Sequence, residues 1–535
     1  MTEVVSPPAL QVIILGSGGG PQESNTTAFL VRSVPQNWRK GSIVAVDGGV
    51  HLSAITRLIE EALPDSPPPT PTPSSAPARQ ILTTGPFAGL ELPFTTAAAN
   101  AAHVTRTLVD TYLITHPHLD HISAFVINTA GLPGTRPKKL AGLPGTIKAL
   151  KDHIFNNVIW PNLSDENNGA GLLTYLRLVE GGSPALGEGY LEVCDGLLVK
   201  TWSVSHGHCM EKHTHRGSFC NQPPTRQGSQ DGSSIPLRRD TYYPHVHDFA
   251  SHFARRETVN HLYPPAFSRR PSMMPQGGTS TPIFSGGEFE PRPCVNDSSA
   301  YFIREETYER EVLIFGDVEP DSISLSPRNL LIWQEAAPKI AAGKLAAVFI
   351  ECSYTDAQPD ERLFGHLKPA YLIEEMQVLA TEVEIARKAR ALESKKRKRD
   401  AEEDAQVQRK KAPPTSMQSP GSDDPVSPKS ANPFNMPSEY YFEAKPDSDT
   451  PHIATPTGEL SLDEFGVPNL VVPPPIHAVK KPLEGLKVVI IHVKETLADG
   501  PEAGDSILQE LIEHEQEAQL GCEFIISKPG QSFYF

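Results

Sequence analysis

The sequence predicts an α/β fold with helices covering β-sheets, and three observations carry that expectation. Short apolar, β-branched runs of strand length recur along the chain, helical patterns follow several of them, and proline- and serine-rich stretches divide them into blocks.

The strand-like runs are, in order, "LQVIILG" (10–16), "SIVAVDGG" (42–49), "TYLITH" (111–116), "LLVKTWSVSH" (197–206), "EVLIFGD" (311–317), "AAVFIEC" (346–352) and "GLKVVIIH" (485–492). Helical patterns occupy 119–130, 144–157, 326–342 and the long stretch 368–392. Between these blocks lie low-complexity segments at about 62–80, 209–295 and 389–480, the first containing "DSPPPTPTPSSAPA" (65–78). They hold too little apolar surface to offset the entropy of ordering. They are expected as excursions from a single domain spanning 1–535, and the chain has no internal repeat.

Composition narrows the function. With 64 acidic against 48 basic residues the formal net charge is −16, which argues against a nucleic-acid polymer as partner, since such binding neutralises many phosphates with Lys and Arg. A small anion held by a local metal charge remains open. The N-terminus has no basic start before an apolar run, and no apolar stretch is long enough to cross a bilayer. The six cysteines (Cys194, Cys209, Cys220, Cys294, Cys352 and Cys522) lack paired spacing, as expected of a reducing, cytoplasmic setting.

One segment, "HPHLDH" (116–121), packs three histidines and an aspartate into six residues after a strand. His116 and His118, two apart in extended chain, fall on one side and can share a cation. Asp120 and His121 follow where the pattern turns helical, and so point to a second cation position. A lone histidine in a strand is usually a packed core or surface residue, but four ligand types so close are hard to explain as packing. The runs reaching His206, Asp317 and His492 each place a further ligand type where the strand is expected to stop, and such strand ends are common ligand sites in α/β proteins. Imidazole and carboxylate donors without cysteine suit an open hydrolytic site with zinc, or manganese or iron, rather than a closed structural zinc.

At these residues the chain resembles the metallo-β-lactamase superfamily, whose signature is H-x-H-x-D-H after a strand. More narrowly it is similar to the class II cyclic-nucleotide phosphodiesterases, the fungal low-affinity type, in "HPHLDHI", with Ala124, Phe125 and Thr129 as conservative departures. The likeness extends to "ILGSGGGPQESNTTAFLV" (14–31), "VDGG" (46–49), "HIFNNVIWPNL" (153–163), "SHGH" (205–208), "FGDVEPD" (315–321), "FIECSY" (349–354), "GHLKP" (365–369) and "IIHVK" (490–494). The resemblance implies a four-layer αββα sandwich. It also implies two divalent metal ions: His116, His118 and His206 on one, Asp120, His121 and His492 on the other, and Asp317 bridging them. Asp47 is expected to orient a ligand histidine, and Glu351 and His366 to lie near the substrate. His366 is the candidate general acid, its bland alternative being a helix cap.

The implied activity is hydrolysis of a 3′,5′-cyclic nucleotide, most simply cAMP, to the 5′-monophosphate in cyclic-nucleotide signalling. Cations about 3.5–4 Å apart would activate water and neutralise phosphate oxygens during in-line attack on phosphorus, expelling the ribose 3′-oxygen. Rival readings are a tRNA 3′-processing endonuclease, a glyoxalase-like thioester hydrolase, and a catalytically inactive scaffold acting through its inserts. Weaker signals are a second His/Cys group in "HGHCMEKHTH" (206–215), "HVHD" (245–248), and a nuclear import signal at 395–399 ("KKRKR"). Ser-Pro pairs at 419–420 and 427–428 would suit a regulatory kinase. A homodimer is a further partner reading, and no membrane partner is expected.

Overall fold

The computed structural model describes residues 7–64, 80–134, 136–210, 293–411 and 481–535. The first half of the chain carries β1 (Leu10–Gly16), β2 (Ala28–Ser33), β3 (Ile43–Val46), α1 (Leu52–Ala62), β4 (Gln80–Ile81), β5 (Glu91–Leu92), α2 (Ala97–His103), β6 (Val109–Leu113), α3 (Leu119–Gly131), β7 (Lys138–Gly142), α4 (Pro144–Ala149) and β8 (Leu173–Arg177). The second half carries β9 (Leu191–Cys194), β10 (Leu197–Met210), β11 (Pro293–Glu305), β12 (Glu311–Phe315), α5 (Asn329–Ala341), β13 (Leu345–Glu351), α6 (Pro369–Lys411), β14 (Lys487–Ile491), α7 (Ala503–Ala518), β15 (Glu523–Ile526) and β16 (Ser532–Tyr534).

These strands form two seven-stranded sheets, ordered β16-β1-β2-β3-β6-β7-β8 and β15-β14-β13-β12-β11-β10-β9, beside a small β4-β5 ribbon. Each large sheet has a parallel part, β3-β6-β7-β8 and β12-β13-β14-β15, whose strands are joined through helices as parallel pairs require. Strands such as β1 and β14 are buried almost end to end, which is why they read as unbroken apolar runs rather than alternating ones.

Three apolar cores separate the layers. One lies between the two sheets, where Phe29, Val31 and Leu113 of one meet Tyr301, Phe349 and Val489 of the other. A second packs α1 to α4 on the first sheet through Ile55, Ile59, Phe125 and Ile147. The third packs α5, α6 and α7 on the second sheet through Trp333, Met376, Leu379 and Leu511. The arrangement is the expected αββα sandwich.

Several expectations are corrected locally. His206 lies within β10, which continues to Met210, rather than where a strand stops. The helix expected over 144–157 ends as α4 at Ala149 and widens into a π-turn at Leu150–Ile154. The helix expected to end near 392 runs to Lys411, through the basic run 395–399. Its buried residues Leu372, Met376, Leu379 and Val383 keep helical spacing, whereas the later part has no apolar stripe to reveal it. There the chain is charged and rich in good helix formers, with i,i+4 pairs such as Glu393–Arg397.

Contacts divide the chain into one unit of 1–207 with 296–535 and another of 208–295. In the latter, only the strand ends 208–210 and 293–295 are described. The motif at 245–248 and the Ser-Pro pairs lie outside the described residues, as does 211–215, the second half of the 206–215 group. Among the described residues no helix is long and apolar enough to cross a membrane.

Candidate metal centre

Strand ends and the loops just past them bring the ligand-type residues together. β6 stops at Leu113, and the extended link 114–118 carries His116 and His118 before α3 begins at Leu119. Asp120 and His121 therefore sit in the first turn of α3, as the spacing predicted. Asp317 lies two residues beyond β12 and His492 immediately after β14.

Asp317 is the hub. Its carboxylate lies 3.5 Å from His116 Nε2, 3.2 Å from His121 Nε2, 3.4 Å from His206 Nε2 and 3.3 Å from His492 Nε2. The donors fall into three groups whose atoms lie within 4.8 Å of one another: His116, His118, His206 and Asp317; His206 and Asp317 again, with Glu351 and His366; and separately Asp120, His121 and His492. Asp120 is 3.7 Å from His492 and 3.9 Å from His121. Asp317 lies against histidines of the first and the last of these groups, His116 and His206 on one side and His121 and His492 on the other.

Neighbours fix the ring orientations. His121 donates from Nδ1 to Asp47 at 2.8 Å, and His206 donates from Nδ1 to the Gly365 carbonyl at 2.8 Å. His492 Nδ1 lies 2.8 Å from the Thr27 hydroxyl, and His116 Nδ1 lies 3.1 Å from Thr115 Oγ1. With Nδ1 engaged, each Nε2 is left pointing inward. His118 is the exception: its Nδ1 faces in, 2.9 Å from His116 Nε2.

Asp47 does more than orient His121. Its two oxygens also accept from the Thr115 amide and hydroxyl, both at 2.8 Å, so it pins the link that leads into His116. Both Asp47 (φ 56°) and His492 (φ 58°) adopt left-handed backbone, a strain concentrated at functional sites. The glycines of "VDGG" serve close packing: a Cβ on Gly49 would lie 1.9 Å from the Asp120 carbonyl oxygen.

The centre fits cations. His121 Nε2, His492 Nε2 and Asp317 Oδ1 are buried without a hydrogen-bond partner, each a cost of about 1–3 kcal/mol unless something satisfies it. Burial would raise the Asp317 pKa, but the surrounding histidines outweigh it and hold the carboxylate well below its usual range. Burial pushes His206 and His492 well down despite Asp317, leaving neutral imidazoles suited to ligation, and His118 falls to about 4 through burial and His116. Burial also opposes charge on His121, yet Asp317 and Asp47 raise its pKa well above the ordinary value, so a proton there competes with a metal.

His366 lies beside this centre, its ring 4.8 Å from that of His206 and 5.3 Å from that of His492. It precedes α6 by three residues and does not cap it; its Nδ1 donates to Glu351 at 2.9 Å. Glu351 is fully buried and also accepts from the Val318 amide and the Ser353 hydroxyl. Sequence reasoning did not single out Thr27, Thr115 or the Gly365 carbonyl. All three sit in segments already quoted, but a hydroxyl or backbone oxygen carries no signal until its partner is placed.

Comparison with known proteins places this geometry in context. The family described as class-II cAMP phosphodiesterases matches residues 79–183, 278–391 and 475–530, about half of the chain, including every expected site residue except Asp47 and His206. A 3′,5′-cyclic-nucleotide phosphodiesterase of Schizosaccharomyces pombe is 28% identical over 370 residues, covering 69% of this chain and 75% of that protein. One from Candida albicans is 26% identical over 399 residues, covering 70% and 83%. Among solved structures, unliganded yeast PDE1 superposes with a TM-score of 0.55 at 18% identity, covering 99% and 100% of the two chains, which supports the fold.

Proposed function

The chain belongs to the class-II cAMP phosphodiesterases, and from that membership we propose that it hydrolyses the cyclic phosphodiester of cAMP to the 5′-monophosphate at the centre around Asp317. The observation that supports the assignment to this centre is the convergence of seven ligand-type side chains around Asp317, which lies within 3.5 Å of His116, His121, His206 and His492. His116, His118 and His206 would hold one divalent ion and Asp120, His121 and His492 the other, with Asp317 between them. The donor set suits zinc first, then manganese or iron. When bound, such ions supply Lewis-acid polarisation of phosphoryl oxygens and an acidified water.

The remaining work falls to the chain. Thr27, Asp47, Thr115 and the Gly365 carbonyl keep the ligand rings aimed inward, so little reorganisation is needed during attack. His366 holds the proton for the departing ribose 3′-oxygen. Burial opposes its charge, but Glu351 and Asp317 raise its pKa above the ordinary value, and the Nδ1 bond to Glu351 leaves Nε2 free to donate. The setting is cytoplasmic, with the exposed basic run 395–399 on α6 offering a route to the nucleus.

The test is hydrolysis of cAMP, cGMP and bis(p-nitrophenyl) phosphate by purified protein with and without chelator. Chelator-sensitive cleavage of cAMP to 5′-AMP is expected. Cleavage of the generic diester alone would defeat the cyclic-nucleotide assignment, and turnover that survives complete metal removal would defeat the ligand assignment.

A further inference from the structure

At the other end of the first sheet, away from the metal centre, lies a pocket of about 460 Å³. Val109 and Lys138, the first residues of β6 and β7, line it, together with Lys40, Arg106, Arg136 and Lys139. Five cations thus surround it against two carboxylates, Asp110 and Asp195, in a chain whose net charge is −16.

These cations are not neutralised by the fold. Lys139 pairs with Asp110 at 2.9 Å, but among the described residues no ion pair engages Lys40, Arg106 or Arg136. Lys138 is 8% exposed and donates to the carbonyls of Arg106 and Val109, leaving one of its three protons uncommitted. Among the described residues no carboxylate bonds to it directly. Burial lowers its pKa to about 8; Asp110 opposes this, while the nearby Lys40 ammonium lowers it further. Two ammonium groups that repel one another across a pocket, one of them buried, are an arrangement that an anion would relieve.

We propose that this pocket binds a small polyphosphate anion, one carrying at least two adjacent phosphate groups. Lys40, Arg106, Arg136 and the free proton of Lys138 supply the donors. Multiple charge matches this ligand to the site, since a single phosphate would leave most of the cations unpaired. The pocket is separate from the candidate metal centre, so the inference stands whatever the substrate of that centre proves to be.

The experiment is isothermal titration calorimetry of the full chain with tripolyphosphate at low ionic strength, with sulfate as the singly bound comparison. Lys40→Ala and Arg136→Ala alter exposed residues at the rim, and each should weaken binding by roughly tenfold or more, the loss of a charge-assisted hydrogen bond. Asp195→Asn, which removes a lining negative charge, should tighten it. Absence of binding, binding that both rim substitutions leave unchanged, or sulfate binding as tightly as tripolyphosphate would overturn the proposal.

Discussion

Asp47→Asn is the most informative single substitution at the candidate centre. Asp47 is 1% exposed and accepts three bonds at 2.8 Å, from the Thr115 amide, the Thr115 hydroxyl and His121 Nδ1. An asparagine keeps the shape but offers one acceptor oxygen and one donor nitrogen. If the nitrogen replaces Oδ2, it faces the His121 N–H; if it replaces Oδ1, it faces the Thr115 amide. Either way at least one bond to a charged acceptor is lost and a buried donor is orphaned, about 1.5–3 kcal/mol. That range corresponds to roughly 10–100-fold in metal affinity or activity, the usual scale for a residue that orients a ligand. Asparagine tolerates the left-handed backbone at this position, so the substitution isolates the hydrogen bonding, whereas alanine would add backbone strain. The assay is metal content after dialysis against buffered zinc, paired with kcat/KM for cAMP. An Asp47→Asn variant matching the parent in both within about twofold, far short of the loss expected of an orienting residue, would refute the idea that Asp47 positions His121.

Asp120→Ala should abolish turnover and lower the bound metal content; a variant that keeps full activity and full metal would sink its assignment as a ligand. Gly365→Ala should misplace His206, because the residue has φ 82° and a Cβ would lie 2.3 Å from the Gly207 nitrogen; strain and overpacking of about 1–3 kcal/mol should appear as a lower melting temperature and reduced metal content. Chelation should lower the melting temperature as well as activity, since three buried donor atoms of the centre lose whatever satisfied them, and restored zinc should recover both. His51 gives a pH prediction away from the centre: burial and then Lys138 lower its pKa from 6.5 to about 3, and its Nε2 lies 2.7 Å from Tyr112 Oη. The unfolded chain takes up this proton below about 6.5 and the folded chain only near 3, so stability drops as the pH is lowered through that window, by up to roughly 1.4 kcal/mol per pH unit. Urea unfolding from pH 7 to 5 should show a slope that flattens by about one proton in His51→Gln, and an unchanged slope would refute the assignment.

The parts of the fold legible in the sequence are those where local chemistry is unambiguous. β1, β12, β13 and β14 are buried on both faces and announce themselves as apolar runs. α3 follows its ligand cluster with clear helical spacing. β7 ("KKLAG") and β16 ("SFY") are too short and too mixed to stand out, and become strands because neighbouring strands supply their hydrogen bonds. The last part of α6 has helix-forming charge and no stripe, so composition there reads equally as a solvated segment.

By itself the sequence determined the donor chemistry. "HPHLDH" and the later residues His206, Asp317 and His492 supply histidine and carboxylate donors, and the spacing within the motif points His116 and His118 to one group and Asp120 and His121 to another. Tertiary structure decided which donor atoms face one another, because that depends on what holds the far side of each ring. Thr27 reaches His492 across 465 positions of sequence, Gly365 reaches His206 across 159, and Asp47 reaches His121 across 74. A hydrogen bond is set by distance and angle in space, and no local pattern encodes either until the two sheets have packed.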